Sequence, residues 1–166
     1  APTIEFKLSN NNKNVFDFCI AKTDQFEGDC NQTVALNFKH ALTAIDFVAD
    51  ASMPAGTISN IKFFNIRSRD EIDLEKQEWK NKYPDSIRNV GFMPNKKVVL
   101  SGGKEQAITG DKDSTTFFLI PHTLREDAYF QVNFTLAGGG TKYLKANLSG
   151  GKWEMGKHYT YKIRPT

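Results

Sequence analysis

Cysteine, charge of one sign and long apolar runs are all scarce in this sequence, and each scarcity removes a class of protein. Only two cysteines, Cys19 and Cys30, occur in 166 residues, too few for a disulfide-built scaffold. Their Cys-x10-Cys spacing lacks the tight pairing of zinc sites. In an exported chain they permit one disulfide, Cys19–Cys30, worth roughly 3 kcal/mol in the chain-entropy model; two free thiols are the alternative. The formal net charge is only +3, with basic and acidic residues interspersed, and no basic stripe suggests nucleic acid. No apolar run approaches the length of a membrane span. The opening Ala1-Pro2-Thr3-Ile4-Glu5 is not a signal peptide. A mature or trimmed product is therefore expected, with any export signal or lipid-anchor cysteine upstream.

Catalytic signatures are missing too. No Gly-x-Ser-x-Gly elbow occurs. The glycine pairs and triplets at 102–103, 138–140 and 150–151 lie between strand patterns, where hairpin turns rather than phosphate loops are expected. Of three histidines, His40 closes a strand pattern in phase with its inward face, His122 follows Pro121 in a turn, and His158 precedes the last strand. His40 reads as a core or edge histidine, and neither His122 nor His158 has a Cys, Asp or Glu at metal-ligand spacing. Asp70, Glu71, Asp73, Glu75 and Glu78 alternate with Lys76, Lys80 and Lys82, which reads as a solvated mixed-charge face rather than a carboxylate pair. No enzyme activity, cofactor or metal is expected.

What is present is alternation with period two, the mark of half-buried strands. Ile4, Phe6 and Leu8 share one face of a first strand. Phe16, Phe18 and Ile20 follow, with Asp17 and Cys19 on the opposite face. Val34, Leu36 and Phe38 alternate next, and the parity switches at Ala41-Leu42-Thr43-Ala44 before resuming at Ile45 and Phe47, which calls for a bulge or bend. Strands are expected at 58–66, 98–100, 116–120, 128–136, 143–148 and 159–163. The charged stretch 69–82 fits a short amphipathic helix or an irregular hairpin. Short strands spaced by Gly-rich turns predict an all-β sandwich or barrel of about seven or more strands, with at most short helical segments. At this length one domain over residues 1–166 is expected. Trp79, Trp153 and the tyrosines could pack the sheets or stack on sugar rings.

Four segments resemble Bacteroides-type fimbrillins. Val34-Ala35-Leu36-Asn37-Phe38-Lys39-His40-Ala41-Leu42-Thr43-Ala44-Ile45 looks like that family's L-x-F-x-H-A-L-x-x-I signature. Phe118-Leu119-Ile120-Pro121-His122-Thr123-Leu124 is similar to its IPQTL segment. Trp153-Glu154-Met155-Gly156-Lys157 and Tyr159-Thr160-Tyr161-Lys162-Ile163 follow in the right order.

The resemblance implies a transthyretin-like Greek-key sandwich corresponding to the first of two family domains. It also implies a structural or adhesive subunit of surface fimbriae (pili) at the cell surface of a Gram-negative bacterium. Such subunits are exported as lipoproteins, anchored to the outer membrane, processed by a protease and joined by donor-strand exchange. The implied partners are other fimbrial subunits, as homo- or hetero-polymer, with host or bacterial surface ligands in addition. Membrane contact would come only through an upstream lipid anchor. Ile4, Phe6 and Leu8 then read as the intrinsic strand that fills the groove before assembly. One departure is that the first arginine is Arg67, so cleavage after an arginine near the start has no support. The alternative reading is a surface glycan- or ligand-binding sandwich that does not polymerise.

Overall fold

Every regular element is a strand in the computed structural model, which describes residues 1–8, 16–25, 28, 31–92, 97–110 and 115–165. In chain order they are β1 (Thr3–Lys7), β2 (Cys19–Ile20), β3 (Lys39–His40), β4 (Thr43–Ala49), β5 (Gly56–Arg67), β6 (Arg69–Asp73), β7 (Glu78–Trp79) and β8 (Ile87–Phe92). They continue as β9 (Val98–Leu100), β10 (Gln106–Ala107), β11 (Phe117–Leu119), β12 (His122–Thr123), β13 (Tyr129–Leu136), β14 (Thr141–Asn147), β15 (Lys152–Trp153) and β16 (His158–Ile163). The all-β sandwich expected from alternation is present.

Two sheets form its layers. In the larger, β5 pairs with β13 on one edge and with β8 and β9 on the other, and β14 lies outside β13. In the smaller, β4 is flanked by antiparallel β10 and β11 and by parallel β16. Alternation drives both. Phe130, Val132 and Phe134 of β13 are buried, as are Ile45, Phe47 and Ala49 of β4. Between the layers the rings of Phe47, Phe63, Phe117, Phe130 and Tyr161 pack with centroids 5.1–6.0 Å apart, mostly edge to face, the arrangement their quadrupoles favour.

Three smaller units complete the fold. β6 continues the line of β5 past Ser68 and carries β1 on one edge and β7 on the other. β12 pairs with β15, and β2 with β3. The charged stretch 69–82 is thus the β6–β7 hairpin, not a helix. The parity switch falls at Ala41 and Leu42, a buried bend between β3 and β4.

One strand expectation fails. Residues 31–38 lie in no strand, and Val34, Leu36 and Phe38 are exposed. The strand there shrinks to Lys39–His40. Alternation supplies an apolar edge, but a strand also needs a neighbour to accept its hydrogen bonds, and none of the described strands pairs with this segment. His40 is accordingly exposed rather than inward.

Candidate functional site

The seat of β1 is the first candidate, because an edge strand is where another chain can add. Thr3 to Lys7 run antiparallel to Asp73 to Arg69, with Ile4 opposite Ile72. The pairing extends at both ends: Leu74 N–H donates to Pro2 O at 2.9 Å and Leu8 N–H to Ser68 O at 2.8 Å. Arg88 Nη1 donates to Leu8 O at 2.6 Å, and Arg69 pairs with Glu5. That pair holds the Glu5 carboxyl below its usual range through the Arg69 hydrogen bond.

The side chains of β1 grade inward. Ile4 is 38% exposed, Phe6 is half-buried and Leu8 joins the main core. Phe6 stacks on Phe18 at 5.9 Å and meets Phe16 and Trp79 edge-on at 6.2 Å. Only β6 flanks β1 among the described strands. Its departure would uncover the β6 edge together with the faces of Phe18, Ile72 and Trp79.

A second opening runs along one side of the sandwich. β14 is the outer strand of the larger sheet and β16 of the smaller. The contacts of Tyr161 with both Phe47 and Phe130 place the two on the same side. Leu144 and Ala146 of β14 and Tyr159 and Tyr161 of β16 point inward yet are only half-buried. Trp153 Nε1 donates to the Tyr161 hydroxyl at 3.0 Å and braces that rim. Trp153 itself is buried and Trp79 half-buried, so neither tryptophan stacks freely with solvent. Other aromatics lie on the outer face of the larger sheet, of which Phe64 and Tyr129 are half-buried. Tyr129 stacks on Phe64 at 4.5 Å and nearly parallel, beside Lys62 and Lys145, and Tyr143 is 62% exposed.

The three histidines part company. His122 is buried. Its Nδ1 donates to Ile120 O at 2.7 Å, and its Nε2 accepts from the Arg67 N–H at 3.2 Å. Burial lowers its pKa from 6.5 to about 4. His158 Nε2 meets the buried Asp46 carboxylate. His40 meets Asp17 and Cys19: Cys19 faces His40 across the β2–β3 pair. Sequence parity puts Asp17 and Cys19 on one face, but their partner His40 depends on pairing across a long connection and leaves no local trace. Cys30 lies outside the described residues.

The acidic cluster is not uniformly solvated. Glu71 pairs with Lys80 and Lys82, as a mixed-charge face should. Asp70, however, is fully buried. Its carboxylate accepts the N–H groups of Glu71, Asn81 and Lys82 and pairs with Arg67 at 3.3 Å.

A family model described as "Fimbrillin-like" matches residues 1–166. The chain belongs to the fimbrillin-like family. Among solved structures, a Bacteroides uniformis protein whose name assigns it to cell adhesion aligns over 98% of this chain and 61% of its own, at TM-score 0.51 and 16% identity. A similarly named Bacteroides thetaiotaomicron protein aligns over 97% of this chain and 57% of its own, at TM-score 0.49 and 10% identity. At these identities the first likeness concerns fold alone. The chain spans about three-fifths of each relative's length. No curated protein matches the chain by sequence.

Proposed function

We propose that this fimbrillin-like chain is a non-catalytic subunit of surface fimbriae that joins its neighbours by exchanging strands. One observation carries the reading: β1 is an edge strand that a replacement strand could imitate. It contributes ladder hydrogen bonds to β6, and with it come the alternating side chains Ile4, Phe6 and Leu8; another extended segment with the same alternation can supply both. Residues 31–38 are a second support. Val34, Leu36 and Phe38 keep strand alternation while remaining exposed, which soluble monomers generally avoid. In this reading export, lipid anchoring at the outer membrane and proteolytic release of β1 precede assembly.

A staple across β1 tests the exchange. Ile4 and Ile72 are directly opposed, so I4C with I72C should lock β1 when oxidised. Native material run on a gel without boiling is expected to show a ladder when the staple is reduced and a monomer when it is oxidised. A ladder indifferent to oxidation would remove β1 from the mechanism. A monomer in every processing state would remove the polymer role.

The ring pair Phe64–Tyr129, with Lys62, Lys145 and exposed Tyr143 on the same sheet face, favours a second reading, a glycan-binding sandwich. Glycan-array binding that disappears in Y129A and Y143A, from a chain that runs as a monomer in every processing state, would support it.

A further inference from the structure

The geometry points to a zinc site of three protein ligands, Asp17, Cys19 and His40, on the β2–β3 pair. The candidate ligand atoms form a closed triangle. Cys19 Sγ lies 3.5 Å from His40 Nδ1 and 3.8 Å from Asp17 Oδ2, and the nitrogen and oxygen are 2.6 Å apart. Zinc–ligand bonds of about 2.3 Å to sulfur and about 2.0 Å to nitrogen or oxygen, at tetrahedral angles, require sulfur edges of about 3.5 Å and a nitrogen–oxygen edge of about 3.3 Å. Both sulfur edges are already close to that size. The third is a hydrogen bond, which opens when the cation replaces the shared proton.

The backbone prepares this triangle. Cys19 and His40 are opposed residues of an antiparallel pair, so their side chains leave the same face at close range. Asp17 precedes Cys19 by two positions, and an extended chain returns to the same face every second residue. Ile20, one position on, is buried on the opposite face, which fixes the orientation of the pair. No large rearrangement is needed to bring the ligands together.

The donor set suits the metal. A thiolate, an imidazole and a carboxylate match zinc better than the hard cations calcium and magnesium. Asp17 and His40 also border a cleft of about 460 Å³ that carries Lys157 and His158. A fourth coordination position directed there stays accessible to water.

The test uses the reduced full chain and a C30S variant, in which Cys19 has no disulfide partner within the chain. Zinc titration by calorimetry is expected to give one site per chain in both proteins. Cobalt in place of zinc should give a thiolate-to-metal charge-transfer band. C19S should abolish that band, and C19S, H40Q and D17N should each weaken zinc binding by about tenfold or more. Absence of zinc binding in both the reduced chain and C30S would overturn the proposal, as would unchanged affinity in C19S. Cell-surface protein whose intact mass and thiol titration show Cys19 held in a disulfide would overturn it as well.

Discussion

His158 Nε2 on β16 lies 2.6 Å from Asp46 Oδ2 on β4, a link by which a buried polar cluster reaches towards solvent. The remaining links are interior. Asp46 accepts from Thr109 at 2.6 Å and from Thr116 at 2.9 Å, and Thr109 Oγ1 in turn accepts the Phe47 N–H. A carboxylate on β4 thus fastens β16, the residue that leads into β11 and the segment after β10.

Asp46→Ala should therefore cost about 3 kcal/mol, since it strands buried hydroxyls as well as removing a charge. His158→Ala should cost less than about 1 kcal/mol, because its half-exposed imidazole is screened by water. Denaturant midpoints at constant m-value separate the two. Equal losses would mean that the cluster is not anchored at Asp46.

His122 predicts a pH dependence. Its folded pKa of about 4 lies below the 6.5 of the free side chain, so between those values the unfolded chain binds more protons. Its contribution is complete above pH 6.5 and is lost as pH falls towards 4, by about 3 kcal/mol at most. The geometry gives the reason, because protonating Nε2 removes the acceptor of the Arg67 N–H. His122→Gln should flatten the stability profile over that interval. A slope identical to that of the parent chain would contradict this assignment.

Gly56 predicts a steric limit. A Cβ there would sit 2.4 Å from Thr135 O and 2.5 Å from Phe134 Cζ, in the close β5–β13 contact. Gly56→Ala should cost about 2 kcal/mol. Gly138→Ala, where a Cβ meets nothing within 4 Å, should be nearly neutral. Thermal melts of the two variants suffice to compare them.

The late strands were legible because β13, β14 and β16 alternate cleanly and their turns carry glycine, as at Gly139 with φ 98°. The β6–β7 hairpin was legible only as one of two readings, and its turns explain why. Gln77 and Asn81 adopt φ of 56° and 54°, left-handed positions usually marked by glycine. Its inward residues also include charged Asp70, whose burial is satisfied by backbone N–H groups from residues up to twelve positions away. Val34, Leu36 and Phe38 show the opposite error, since alternation records which side chains are apolar and not whether a partner strand exists. The Asp17–Cys19 parity was readable. The facing His40 required knowledge of the β2–β3 register.

The parallel pairing of β16 with β4 sets an order of events during synthesis. β4 leaves the ribosome long before β16, the strand that covers one of its edges from Ala44 opposite His158 to Ala49 opposite Ile163. Contacts so distant along the chain are slow to form, because the intervening loop must close first. Until then Phe47 lacks the Tyr161 ring. The sandwich stays open until β16 has emerged, which leaves an interval in which translocation or a chaperone can act before it closes.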